Sequence, residues 1–282
     1  MGVRPAAVAG TWYPGTSGAL AREVDAYLDA ATDAPRGRIT ALIAPHAGIM
    51  FSGPVAAFSY KAAAREPYDV VVLAGPSHFV PFEGIALYPD GGFDSPFGIA
   101  PIDTEIAGRL AASPGVQPMP AAHAREHSLE MQLPFVRRLL PEARIVPLLM
   151  GFQSREAIEQ LAAALTAALR GRRALIVAST DLSHYFDART AAALDARVQE
   201  KVAAFDPEGL IALAADYPEH ERGRYVGCGI GPAISVMMAA RALGARDARV
   251  LKYAHSGEVS GDYDGVVGYM AAVMGTFDAD AH

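Results

Sequence analysis

The chain has 282 residues, 51% hydrophobic and 20% charged, with a formal charge of −7 and a single cysteine, Cys228. A chain this long buries roughly three quarters of its unfolded surface, so it needs neither disulfide nor structural metal to hold a core, and one cysteine excludes an internal disulfide. The acidic balance argues against a nucleic-acid partner. Residues 1–15 lack the basic and apolar regions of a secretory signal. No run reaches the ~20 apolar residues of a membrane span, so the expected location is cytoplasmic, with no membrane partner.

In chain order, Ser17 is the expected cap of a helix that runs to Ala31. A strand at 39–44 leads to a helix at 53–65, and a strand at 69–74 follows. Residues 84–102 are loop-rich, and Asp90-Gly91-Gly92 signals a short hairpin over one sheet edge. Asp103 is the expected cap of a helix at 104–112. A helix at 126–140 carries an apolar stripe of Leu129, Leu133, Val136 and Leu140, with a kink expected at Pro134. A strand at 145–149, a helix from the Ser154 cap to Arg170, and a strand at 174–178 come next. Helices at 187–205, 207–215 and 232–243 precede strands at 248–253 and 266–273.

Most of these strands are runs of Val, Ile and Leu without alternation, as in strands covered on both faces. Strands alternating with helices imply an α/β fold with a mostly parallel central sheet and helices on both faces. No linker, charge run or repeat divides the chain, so residues 1–282 read as one domain.

Ligands of such sheets bind beyond the carboxyl ends of the strands. Those ends carry His46 in Ala44-Pro45-His46-Ala47-Gly48, His78 in Gly75-Pro76-Ser77-His78, and Asp181 and His184 in Ser179-Thr180-Asp181-Leu182-Ser183-His184. Three strand ends with metal-capable side chains at one sheet edge point to a shared pocket. The prolines and glycines beside His46 and His78 mark tight turns that set side-chain direction.

Cys228 lies in Gly227-Cys228-Gly229-Ile230-Gly231-Pro232, just before a helix, where the dipole favours a thiolate. No strand precedes this glycine-rich stretch, so it is not a dinucleotide fingerprint. In Glu126-His127-Ser128-Leu129-Glu130, His127 and Glu130 are helix neighbours at i, i+3. They either bind metal or move protons, or they form an ordinary acidic helix start. His255 follows a strand end and can line the pocket. Trp12 and Tyr13 either wall the pocket or bury an aromatic near the chain end. His123, His220 and His282 are expected to be exposed.

At these residues the chain resembles the Memo family, whose bacterial members are called AmmeMemoRadiSam system protein B. The resemblance runs almost end to end, from Ala9-Gly10-Thr11-Trp12-Tyr13 through the His46, His78, Glu126–Met131 and Ser179–His184 stretches to Gly227–Pro232. That family is similar in fold to class III extradiol dioxygenases (LigB-like), which hold non-haem Fe(II) with two histidines and a glutamate. The resemblance implies that His46 and His78 match the two histidine ligands. It implies that Cys228 stands where the glutamate would be, and that His184 matches the catalytic histidine with Asp181 beside it.

Fe(II) is then the first expectation for the metal, copper the next and zinc a third, since two imidazoles and a thiolate suit all three. The expected activity is a dioxygenase-like oxidoreductase. The competing reading is a binding protein that receives a small molecule or peptide in the same pocket, as animal relatives are associated with phosphotyrosine peptides. The bacterial name implies association with a radical SAM enzyme and an AMMECR1-type protein as partners.

Overall fold

A computed structural model describes residues 2–32 and 35–278, so His282 lies outside the described residues. Nine strands form the main sheet: β1 Gly37–Ala44, β2 Val70–Pro76, β3 Ile85–Leu87, β4 Val116–Pro118, β5 Arg144–Met150, β6 Ala174–Ser179, β7 His184–Phe186, β8 Asp247–His255 and β9 Val266–Phe277. Their order is β7-β9-β1-β6-β2-β5-β3-β4, with β8 also paired to β9. The centre, β1-β6-β2-β5, is parallel. On one side β9 runs antiparallel to β1 and to β8. On the other, β3 runs antiparallel to β5.

Helices flank both faces of the sheet. Ile49–Ala63 packs on β1 and β9, and Ile230–Ala242 on β6 and β2. Every residue of β2 is buried, as its unbroken Val-Val-Val-Leu-Ala run requires of a strand covered on both sides. Because the central strands are parallel, their carboxyl ends meet at one edge, and that edge delivers His46, His78 and Asp181.

Several helices begin elsewhere than their sequence signals suggest. Thr16, not Ser17, is the cap residue of the first helix, and it caps without a side-chain hydrogen bond. The second helix starts at Ile49, four residues before the expected Gly53. The Gly48 carbonyl already accepts the amides of Phe51 and Ser52 there, and Pro54 is absorbed inside the helix. Asp103 and Ser154 do cap, accepting the amides of Ile106 and Ala157.

The expected helix at 126–140 does not form as one piece. Residues 126–129 are non-helical, Glu130–Gln132 makes a 3-10 turn, and the helix proper is Leu133–Leu139. Pro134 therefore sits at the helix start, where its missing N–H costs nothing, instead of kinking a helix. In the 84–102 segment, Ile85–Leu87 joins the main sheet. Gly92–Phe93 and Ala100–Pro101 form the hairpin, and Val3–Arg4 adds to it in parallel as a third strand.

The N-terminal segment is held by a buried ion pair. Arg4 reaches Glu130 at 2.7 Å, with side-chain exposures of 2% and 0%. The two Glu130 oxygens also accept the amides of Ala7 and Val8 and the Tyr13 hydroxyl. Removing one member strands a buried charge. Glu130→Ala should therefore lower the unfolding free energy by ~3–5 kcal/mol, whereas Asp25→Ala, which breaks the exposed Arg138 pair, should cost less than ~1 kcal/mol. Urea unfolding of both variants against wild type measures the contrast, and equal losses would contradict it.

Candidate metal centre

His46 leaves the end of β1 and His78 the end of β2, with β6 lying between those strands. The two loops bend over the end of β6, so the imidazole centroids come within 5.3 Å, edge to face. Cys228 completes the group. One ligand atom each from His46, His78 and Cys228 lies within 4.8 Å of the others.

The hydrogen-bond network assigns the protons on both rings. The Ser179 hydroxyl donates to the Ser128 carbonyl at 2.7 Å and accepts from Gln132 Nε2 at 2.8 Å. Its single proton is then spent, so His46 Nδ1, 2.8 Å away, must donate to it. Gln132 is itself oriented, since its Oε1 accepts the Tyr60 hydroxyl. His46 Nε2 is left with a bare lone pair, 3.2 Å from the Cys228 sulfur. At His78, Nδ1 donates to Glu126 Oε1 at 2.9 Å, so Nε2 is the nitrogen that can ligate once its own proton is lost. Pinning one ring nitrogen so that the other presents a lone pair is the usual support of a metal-ligating histidine.

Glu126 is buried and accepts four times: from the His78 amide, the His78 ring and the amides of His127 and Ser128. Burial alone would raise its pKa, but the His78 hydrogen bond and charge and the surrounding amides hold it at about 2. Burial works against a charged His78, yet Cys228 and Glu126 outweigh it and lift this ring to about 10. His46 shifts the other way. Burial first, then the neighbouring charges of His78, His127 and His184, push it well below its ordinary value.

Cys228 precedes the Ile230–Ala242 helix, yet its thiol pKa lies above the ordinary value. Burial pushes the thiol up, a hydrogen bond from His78 opposes this, and the Asp181 charge adds to it. Its loop is clamped by Gln153, whose Nε2 donates to the Cys228 carbonyl at 2.6 Å and whose Oε1 accepts the Gly231 amide at 2.7 Å. Gly229 has no room for a side chain, since a Cβ would lie 2.4 Å from the Ser179 carbonyl oxygen.

Asp181 is buried and accepts the backbone amide of His46 at 2.7 Å. It thus holds the His46 turn. Burial raises its pKa against the opposing influence of His184 and the His46 amide. His184 starts β7, and its Nδ1 is buried with no hydrogen-bond partner among the described residues. His255 Nδ1 is also unpartnered; this ring stands 5.7 Å from that of Tyr263.

His127 stacks on His78 at 4.7 Å and touches Trp12 at 4.4 Å. Trp12 is 39% exposed and walls the cluster from outside, while Tyr13 is buried against Glu130. Glu130 is not in the pocket: it turns away to anchor Arg4 and the N-terminal segment. His123, expected at the surface, is buried, with Nε2 on the Ala86 carbonyl; burial lowers it to about 3. The residues that sequence reasoning left out are Glu126, Ser179 and Gln132. Glu126 stood in a stretch already singled out, but the helical register pointed to Glu130 instead.

The donor set suits a metal ion. Ligands at ~2.0–2.3 Å from a tetrahedral ion stand roughly 3.3–3.7 Å apart, and the His46–Cys228 separation is 3.2 Å before any ion draws the group together.

A profile of the Memo-like protein family matches residues 4–273. The chain belongs to the Memo family. A MEMO1 family protein of Methanopyrus kandleri is 36% identical to it over 96% of this chain and 98% of its own length. One from Methanothermobacter thermautotrophicus is 34% identical over 95% and 98%. An uncharacterized protein of Escherichia coli K12 shares the fold, with a TM-score of 0.57 and 16% identity over 85% of this chain and 100% of its own. Memo-family membership thus accounts for nearly the whole chain, including every element that carries the His46–His78–Cys228 group.

The His78–Glu126 pair predicts a pH limb in metal-free protein. The folded-state pKa of His78 is raised from 6.5 to about 10, so its stabilisation is present below pH 6.5 and lost as pH climbs toward 10. Chelator-treated Glu126→Gln should show a smaller fall in urea midpoint between pH 7 and pH 10 than chelator-treated wild type. Parallel falls in the two proteins would show that the pair does not set His78.

Proposed function

We propose that this Memo-family chain is a metal-dependent oxidoreductase acting on a small molecule, with iron or copper held by His46, His78 and Cys228. The observation that carries this reading is the convergence of two imidazole nitrogens and one sulfur within 4.8 Å. Each ring is locked from behind, by Ser179 and by Glu126. Three protein donors leave coordination positions open, as a catalytic site requires and a closed structural site does not. The sulfur donor favours the softer transition metals over magnesium or calcium. Bound iron or copper supplies one-electron redox chemistry and Lewis acidity.

The chain's own residues do the rest. To hold a metal, His78 would lose the proton on Nε2 while its Nδ1–H stays on Glu126. Cys228 would hold the metal as thiolate, and the raised pKa of its thiol would make loading weaker at low pH. His184 brings an unpartnered, buried Nδ1 to the edge of the cluster, which suits a group that takes or gives a proton to a bound molecule. Asp181 is a positioning residue, since it fixes the turn that presents His46. Trp12 and His127 wall one side of the approach to the His78 ring. The similarity of the family's fold to extradiol dioxygenases supports an oxygen-using reaction, although cysteine in place of glutamate is a different donor set.

Metal content decides between this and a metal-free binding pocket. Protein purified without oxygen should carry close to one iron or copper per chain by elemental mass spectrometry. His46→Ala and Cys228→Ala should lose it while keeping the wild-type circular dichroism. Zinc alone would turn the assignment toward hydrolysis. Protein that is empty and also refuses added Fe(II), Cu(I) and Zn(II) would overturn the metal reading and leave a pocket for a small molecule or peptide.

A further inference from the structure

A cavity of about 720 Å³ opens on the other side of Gln153 from Cys228, at the same carboxyl-end edge of the sheet. Its volume is that of a small-molecule site, roughly 300–1,000 Å³. An adjoining hollow of about 340 Å³ shares Gln153, Ser154, Glu219, Arg222 and Ile230 with it and is also lined by Ile158, Ile211 and Ile234. Arg222 stands where the two meet, half-buried. Its Nε donates to the carbonyls of Ala214 at 3.1 Å and Tyr217 at 3.4 Å. Those bonds fix the guanidinium plane and leave both terminal nitrogens without a partner among the described residues.

We propose that this cavity binds an aliphatic monocarboxylate, with the carboxylate on the Arg222 fork and the chain in the isoleucine hollow. A pre-oriented guanidinium matches a carboxylate with two parallel hydrogen bonds. The isoleucines give the hollow an aliphatic side that suits a hydrocarbon tail, and Arg155, which also lines it, is already paired with Glu159 and Glu208. Glu83 and Glu219 sit exposed on the lining. Screened by water and salt, they leave a single charge on Arg222 tolerable, but they oppose phosphates and other polyanions. The assignment does not depend on a metal at the neighbouring cluster.

Octanoate is the probe, titrated into the full-length protein by isothermal calorimetry after chelator treatment, with octylamine and inorganic phosphate beside it. Octanoate should saturate one site per chain, and the other two should not. Arg222→Met should weaken octanoate at least tenfold, and Arg222→Lys less. Ile211→Glu, which puts a carboxylate in a half-buried position of the hollow, should abolish binding without touching Arg222. Circular dichroism confirms that each variant is folded. The proposal is overturned by octanoate that fails to saturate, by octylamine that binds as tightly, or by folded Arg222→Met and Ile211→Glu that bind like wild type. None of these outcomes bears on the metal content that tests the oxidoreductase reading.

Discussion

The candidate centre depends on one hydroxyl proton. Ser179 ends β6, between the two strands that carry the histidines, and its side chain meets three groups at once: a carbonyl, an amide nitrogen and an imidazole. Because the carbonyl accepts and the amide donates, the imidazole is left one role, and the tautomer of His46 follows. The arrangement is buried, where an unmet donor or acceptor costs ~1–3 kcal/mol, so the network has little freedom to rearrange. Tyr60 and Gln132 extend it into the core, with the Tyr60 ring stacked on Phe135 at 5.1 Å. The lone pair offered at Nε2 is in this way a consequence of core packing.

The second histidine is controlled by different means. Glu126 holds both the amide and the ring of His78, and the same carboxylate closes the turn at His127 and Ser128. One buried charge therefore orients a ligand ring and shapes the segment that places His127 against it. A neutral hydroxyl behind His46 and an anion behind His78 make the two rings unequal. His46 resists protonation in the metal-free state and His78 welcomes it. Such a pair keeps one proton on the centre until a cation displaces it.

The layout was legible where chemistry coincides with strand ends. His46, His78, Asp181 and His184 could be placed at one edge because apolar runs without alternation announce buried parallel strands, and the polar residue after each run has only one edge to go to. What could not be read was the identity of the supporting groups. Glu126 and Glu130 lie four residues apart in one motif, and a continuous helix would have favoured Glu130 as the partner of His127. The helix fails because the Glu126 side chain competes for the amides that would start it, a local capture that periodicity does not register. The surface expectation for His123 fails because its segment runs into the polar Arg125-Glu126-His127, while the rings packed against it, Tyr88 and Phe93, come from 30 or more residues away.

Glu130 nonetheless reaches the centre by an indirect route. It gathers Arg4, the amides of Ala7 and Val8 and the Tyr13 hydroxyl, so the first turn of chain is nailed to the core at four points. Within that turn the Gly10 amide donates to the Tyr13 carbonyl, and the Trp12 carbonyl accepts the Ile49 amide at the start of the helix beyond His46. Trp12 then has few places to lie except against His127, which rests on His78. The family motif Ala9-Gly10-Thr11-Trp12-Tyr13 and the motif at Glu126–Met131 are thus halves of one device. Tyr13 and Glu130 lock the strap, and Trp12 and His127 form the wall that the lock holds in place. Two motifs more than a hundred residues apart are bound together because neither half can shape the approach to His78 alone.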